Sequence, residues 1–133
     1  MIEKITKIIC NGECVSFNVV FSKTRESKII YARQLIQYFC YEFKAGSYKY
    51  IGEQTGDKDH STVIHSCGVI KNYLETDKVK AEKIKLYRDM ITEAVAMSQE
   101  QKIEYIKHKI SILEKQLIAE NKRLIECQNI YQN

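Results

Sequence analysis

Residues 48–70 read YKYIGEQTGDKDHSTVIHSCGVI: a short apolar-periodic segment, a Gly-Asp turn and a second helical segment in close succession. Ser47 is a capping residue type, and Tyr48, Ile51 and Gly52 mark the segment behind it. The break at Gly56-Asp57-Lys58 leads to Asp59 or Ser61 as the cap of a helix ending near Leu74. Val63, Ile64, Cys67, Ile70 and Leu74 form its expected inner face. Two helices of about eight and fifteen residues joined by a short glycine-containing turn make a helix-turn-helix. The second helix opens on Asp59, His60, Ser61 and Thr62, small polar groups and an imidazole bunched where a recognition helix meets base edges.

The 133-residue chain predicts one domain with an appendage. With 44% apolar residues, 29% charged residues, five Gly and neither Pro nor Trp, an all-α class follows. The net charge of +4 divides evenly: residues 1–78 hold 11 Lys/Arg against 9 Asp/Glu, and residues 79–133 hold 10 against 8. Bulk charge therefore gives little support for nucleic acid, whereas Lys23, Arg25, Lys28 and Arg33, against Glu26 alone, form a local basic patch.

Five cysteines (Cys10, Cys14, Cys40, Cys67, Cys127) at uneven spacing, with no apolar signal region, predict reduced thiols and an intracellular, cytoplasmic location. Cys10, Cys14, His60 and His65 lack a tight CxxC pair, so no metal site is expected. No apolar run reaches the roughly 20 residues of a membrane span, and no membrane partner is expected.

Ile2, Ile5, Ile8 and Ile9 predict a first helix over residues 2–10, interrupted by Asn11-Gly12. Val15, Phe17, Val19 and Phe21 alternate like a strand but have no partner run, so the expectation is a loop or turn whose aromatics plug the core. A helix over residues 27–43 carries Ile29, Ile30, Leu35, Ile36, Phe39 and Phe43, with Ala45-Gly46 as its stop signal. The boundary expected at Glu75-Thr76-Asp77 divides a head, residues 1–76, from a helical tail, residues 77–133.

In the tail, Leu86, Met90, Ala94 and Met97 predict one face, with Ser98 a break or cap. Ile103, Ile110, Leu117, Leu124 and Tyr131 then repeat every seven residues, with Ile106, Leu113, Glu120 and Cys127 three further on. Heptads of this kind predict a coiled coil, either between chains as a homo-oligomer or folded back on the preceding helix. Glu120 is the polar exception, and Lys109 and Glu114 occupy g and e positions that pair between parallel chains.

Residues 56–66, GDKDHSTVIHS, resemble the signature of the C-terminal DNA-binding domain of the bacterial replication initiator DnaA, whose pattern is Gly-Gly-Arg-Asp-His-Thr-Thr-Val-Leu-His-Ala. Ala32-Arg33-Gln34 with Leu35, Ile36 and Tyr38 is similar to that family's Arg-Gln helix, and Tyr48, Ile51 and Gly52 to its Ser-Leu-x-x-Ile-Gly segment. Lys23-Thr24-Arg25 resembles the start of its basic loop, and the likeness covers residues 2–75 in order.

The resemblance implies a domain IV-like helix-turn-helix bundle that recognises a short box in double-stranded DNA. Asp59, His60 and Ser61 would contact bases, Thr62 a base or phosphate and Lys58 a phosphate, while Arg25 or Arg33 would reach the minor groove. Lys23, Lys28 and His65 complete the expected DNA-binding set. Lys58 stands where the family has Arg, Asp57 where it has Gly, and Ser61 where it has Thr. Each exchange alters charge, fork geometry or methyl contact, so a shifted target sequence or weaker binding is expected.

No GxxxxGK[ST] motif occurs, so no nucleotide, cofactor or ATPase activity is expected. The expected function is sequence-specific duplex binding that regulates replication initiation or transcription. The alternative is an interaction module whose tail docks a replication protein. An enzyme has no support from any cluster at catalytic spacing.

Overall fold

A computed structural model describes residues 1–132, apart from the side chains of Met97, Ser98, Tyr131 and Gln132. It contains α1 (Ile2–Glu13), α2 (Ser27–Glu42), α3 (Tyr48–Gln54), α4 (His60–Thr76) and α5 (Lys78–Gln132), with no strand among the described residues. The chain is all-α, as its composition predicts.

α1 does not stop at Asn11-Gly12. A Cβ on Gly12 would lie 2.3 Å from the Tyr87 ring, so this glycine permits a close approach and breaks nothing. The turn comes at Cys14, which adopts the left-handed conformation (φ 55°) while Val15 N donates to Cys10 O at 3.0 Å. The segment that follows is a series of turns. Val15 and Val20 are buried and Phe21 packs on the core, but Phe17 faces solvent, so the aromatic plug is Phe21 alone.

α2 is the central helix: from Leu35 to Cys40 every residue is buried. Such a helix has apolar neighbours on all sides, here including Ile5 and Ile9 of α1, Ile51 of α3, and Val63 and Ile70 of α4. Its reversal falls on Lys44 (φ 57°) and not on Gly46, with Ala45 N donating to Cys40 O at 2.9 Å.

Two helix faces differ from expectation. On α4 the buried row is Val63, Ser66, Cys67 and Ile70, and Ile64 is half exposed. On α5 the buried row is Ala81, Ile84, Tyr87 and Ile91, with Val95 packed beside it, whereas Leu86 and Met90 lie outside. Tyr87 selects that face because its hydroxyl donates to Glu13 and its ring covers Gly12. Lys83 Nζ meets the same Glu13 carboxylate at 2.6 Å, and Arg88 Nη2 donates to Tyr38 Oη at 2.7 Å.

The helix boundary at Asp77 falls as expected, and its Oδ1 accepts from Lys80 N at 3.1 Å to cap α5. The compact unit nevertheless runs on, Met1–Val95, because the opening turns of α5 complete the core; Ala96–Asn133 forms the second unit. The backbone remains helical through Ser98, so no break occurs there. The side chains of Met97 and Ser98, and that of Tyr131 in the heptad row, lie outside the described residues.

Candidate nucleic-acid interface

The turn between α3 and α4 is built by close backbone approach. Ser47 caps α3 by accepting from Tyr50 N at 3.1 Å. A Cβ on Gly52 would sit 2.2 Å from Lys58 O, and Lys58 N donates to Gly52 O at 2.8 Å. Only glycine lets the two strands of backbone meet so closely. Gly56 and Asp57 then take positive φ (97° and 54°) to reverse the chain.

A buried polar chain fixes the angle between the helices. Ser66 Oγ donates to Gln37 Oε1 at 2.5 Å, Gln37 Nε2 donates to Thr55 Oγ1 at 3.0 Å, and Thr55 Oγ1 donates to Ile51 O at 2.7 Å. Every member has a partner, so the network rigidifies α2, α3 and α4 without leaving an orphaned polar atom in it.

Asp59 stands at the N-cap of α4, but its carboxylate does not close the helix end. Oδ2 accepts from Ser61 Oγ at 2.5 Å, and Oδ1 lies 3.1 Å from His60 Nδ1. The hydrogen bond from Ser61, followed by the charge and hydrogen bond of His60, holds this exposed carboxyl below its ordinary pKa. With Nδ1–H committed to Asp59, His60 presents Nε2 outward. Asp59, His60, Ser61 and Thr62 are all exposed and share the first turn of α4.

An open cleft of about 440 Å³ lies beside this tip. The basic loop contributes Lys23 and Arg25, α2 contributes Arg33, the turn contributes Lys58, and α4 contributes Thr62 and His65. Four cations from three separate stretches thus converge on one concave surface. Lys28 is exposed on the first turn of α2 but does not line the cleft.

Arg33 has a second task. Its Nε donates to Val20 O at 2.9 Å and its Nη2 to Ser22 O at 2.7 Å, tying the loop to α2. Burial lowers its pKa from the usual arginine value. A guanidinium so engaged positions the loop that carries Lys23 and Arg25, a role its place in the basic patch did not disclose. Gln34 also lines the cleft, and Gln37, Thr55 and Ser66 hold it in shape. A glutamine within the buried row Leu35–Cys40 was the available signal for that network.

An exposed polar helix start, a tight glycine turn and a convergent basic loop define a helix-turn-helix of the DNA-binding class. The family described as "Bacterial dnaA protein helix-turn-helix" matches residues 2–70, and the chain belongs to it. Similar proteins include the chromosomal replication initiator protein DnaA of Flavobacterium psychrophilum, 38% identical over 77 residues, 58% of this chain and 16% of that protein. The DnaA of Bacteroides thetaiotaomicron is 34% identical over the same length and shares. That of Lactobacillus johnsonii is 36% identical over 81 residues, 60% of this chain and 18% of its own. The chain thus spans less than a fifth of the curated relatives it matches. Among the described residues, no helix is long and apolar enough to cross a membrane.

Proposed function

We propose that this chain binds double-stranded DNA at a selected sequence and thereby regulates replication initiation or transcription, with no ATPase step of its own. The first turn of α4 enters the major groove. His60, Ser61 and Thr62 meet base edges there, and Asp59 holds His60 and Ser61 in place or accepts from a cytosine amino group. Lys58, Lys28 and His65 lie toward phosphates, while Lys23 and Arg25 reach into the adjoining minor groove on the loop held by Arg33. Chains paired through the helical tail would engage two boxes at once, raising avidity without any new contact.

The observation that carries this reading is the cleft in which Lys23, Arg25, Arg33 and Lys58 converge beside the polar tip of α4. The test is selection of bound sequences from a random duplex pool, followed by a salt titration of the winner. A recurring box, with affinity falling steeply as salt rises, is the expected result. Recovery of random sequence, or no duplex binding at low salt, would overturn it.

A further inference from the structure

In the second unit the apolar residues of the helix are exposed: Ile103, Ile106, Ile110, Leu113 and Leu117 are each half exposed or more. These five keep a regular three-four spacing. Beyond Leu117 a strict heptad runs into difficulty. It places Glu120 and Cys127 in the seam, and leaves Ile118 (69% exposed) and Ile125 (57%) on its outside.

One four-residue step after Leu117, a stutter, removes the conflict. The seam then continues through Asn121, Leu124 and Gln128. Ile118 and Ile125 come onto its flank, and Glu120 moves to its edge. Tyr105 and Ile112 remain outside either seam, and Ile130 alone moves from the flank to the outside. Glu120 already has a partner on its own helix surface, since Arg123 Nη1 donates to its Oε1 at 3.3 Å. Two facing carboxylates in a dry seam would be an uncompensated like-charge pair, whereas two facing carboxamides satisfy each other.

We infer that the tail pairs with the tail of a second copy of this chain, parallel and in register, across a seam that stutters after Leu117, so that Asn121 meets its own counterpart. Resting on the reading that the tail joins chains, this inference adds the orientation and the register. In a parallel, unshifted pair every seam residue meets its own counterpart, Asn121 included. The same arrangement sets Lys109 of one copy against Glu114 of the other on both sides of the seam.

The experiment uses the full chain with Cys14→Ser and Cys127→Ser, which removes the two exposed thiols. Asn121→Cys and Glu120→Cys are then compared for interchain disulfide formation, with diamide taking up the two thiol hydrogens. Seam positions bring α-carbons within the roughly 7 Å that a disulfide spans, and edge positions do not. The expected result is that Asn121→Cys crosslinks almost completely and Glu120→Cys poorly. The reverse order means a strict heptad and overturns the stutter. No crosslink at either position, with sedimentation as a monomer at high concentration, overturns self-association. Binding to a single-box duplex, measured on the same preparations, tests the DNA-binding reading independently of all three results.

Discussion

Ser66 of the recognition helix donates to Gln37 of the central helix at 2.5 Å, in the interior and 29 residues away along the chain. The contact ties α4 to α2 at the base of the basic cleft. Ser66→Ala leaves Gln37 Oε1 buried without a donor, a loss of about 1–3 kcal/mol. Urea denaturation should show that loss, and the double variant with Gln37→Leu should lose less than the two single losses combined. Strict additivity would mean that the two groups do not act as one network.

The start of α5 is part of the head. Ile84, Tyr87 and Ile91 are at most 2% exposed. Burying three such side chains contributes on the order of 5 kcal/mol or more, against about 5–15 kcal/mol for the net stability of a whole domain. A chain cut after Val95 should therefore retain cooperative unfolding, and one cut after Asp77 should not. Circular dichroism melts of the two truncations decide the matter; a stable fold after Asp77 would refute this packing.

The difference between that boundary and the one expected at residue 76 shows what the sequence discloses. The helix-turn-helix was legible because Ser47, Gly52 and Gly56 act locally: each fixes a cap or a turn within a few residues of itself. Gly12 was misleading for the opposite reason. Its meaning lies in Tyr87, 75 positions on, and no local rule separates a helix-breaking glycine from one that admits an aromatic ring. The basic loop and α4 were both identifiable, but their convergence with Arg33 on one cleft depends on the fold of α2. The charge of Arg33 is visible in sequence, whereas the carbonyls of Val20 and Ser22 that engage it are not.

Asp57 occupies a left-handed position where the family pattern has glycine. Asp57→Gly relieves backbone strain of about 1 kcal/mol, less for Asp than for most residues, and gives back about 0.4–1 kcal/mol through the looser unfolded chain. The two nearly cancel, so unfolding stability should stay within about 0.5 kcal/mol. Affinity should respond more clearly, because the change deletes a negative charge next to Lys58. Binding to specific and random duplexes should tighten alike, and tightening confined to one sequence would point instead to a base contact by the turn.

Alkaline pH should unfold the head through its buried phenols. Desolvation, then the nearby Glu13 carboxylate, pushes Tyr31 up to about 12 from 10.0. Burial, then the hydrogen bond to Glu13, raises Tyr87 as well. Because the fold favours the neutral phenols, their contribution is complete below pH 10.0 and is lost as pH rises toward about 12. Urea midpoints should begin to fall above pH 9.0, where the fold holds the buried Cys40 thiol neutral, and fall further above 10.0, with a shallower fall in Tyr31→Phe. An equal fall in that variant would exclude Tyr31 as a source.

His60 and Lys58 adjoin the same turn but should fail differently. His60 presents its free ring nitrogen outward from the first turn of α4, the position from which a side chain reaches a base edge. His60→Ala should reduce discrimination between the selected box and a single-base variant by about 1–3 kcal/mol. Lys58 is half-buried in the cleft wall, and the proposed docking sets its ammonium against phosphate and not against a base. Lys58→Ala should weaken all duplexes together and reduce the slope of log affinity against log salt by about 1. Competition binding at several salt concentrations separates the two effects. If both variants lost the same affinity on specific and random DNA, neither side chain would be reading sequence, and discrimination would have to come from Ser61, Thr62 or the loop.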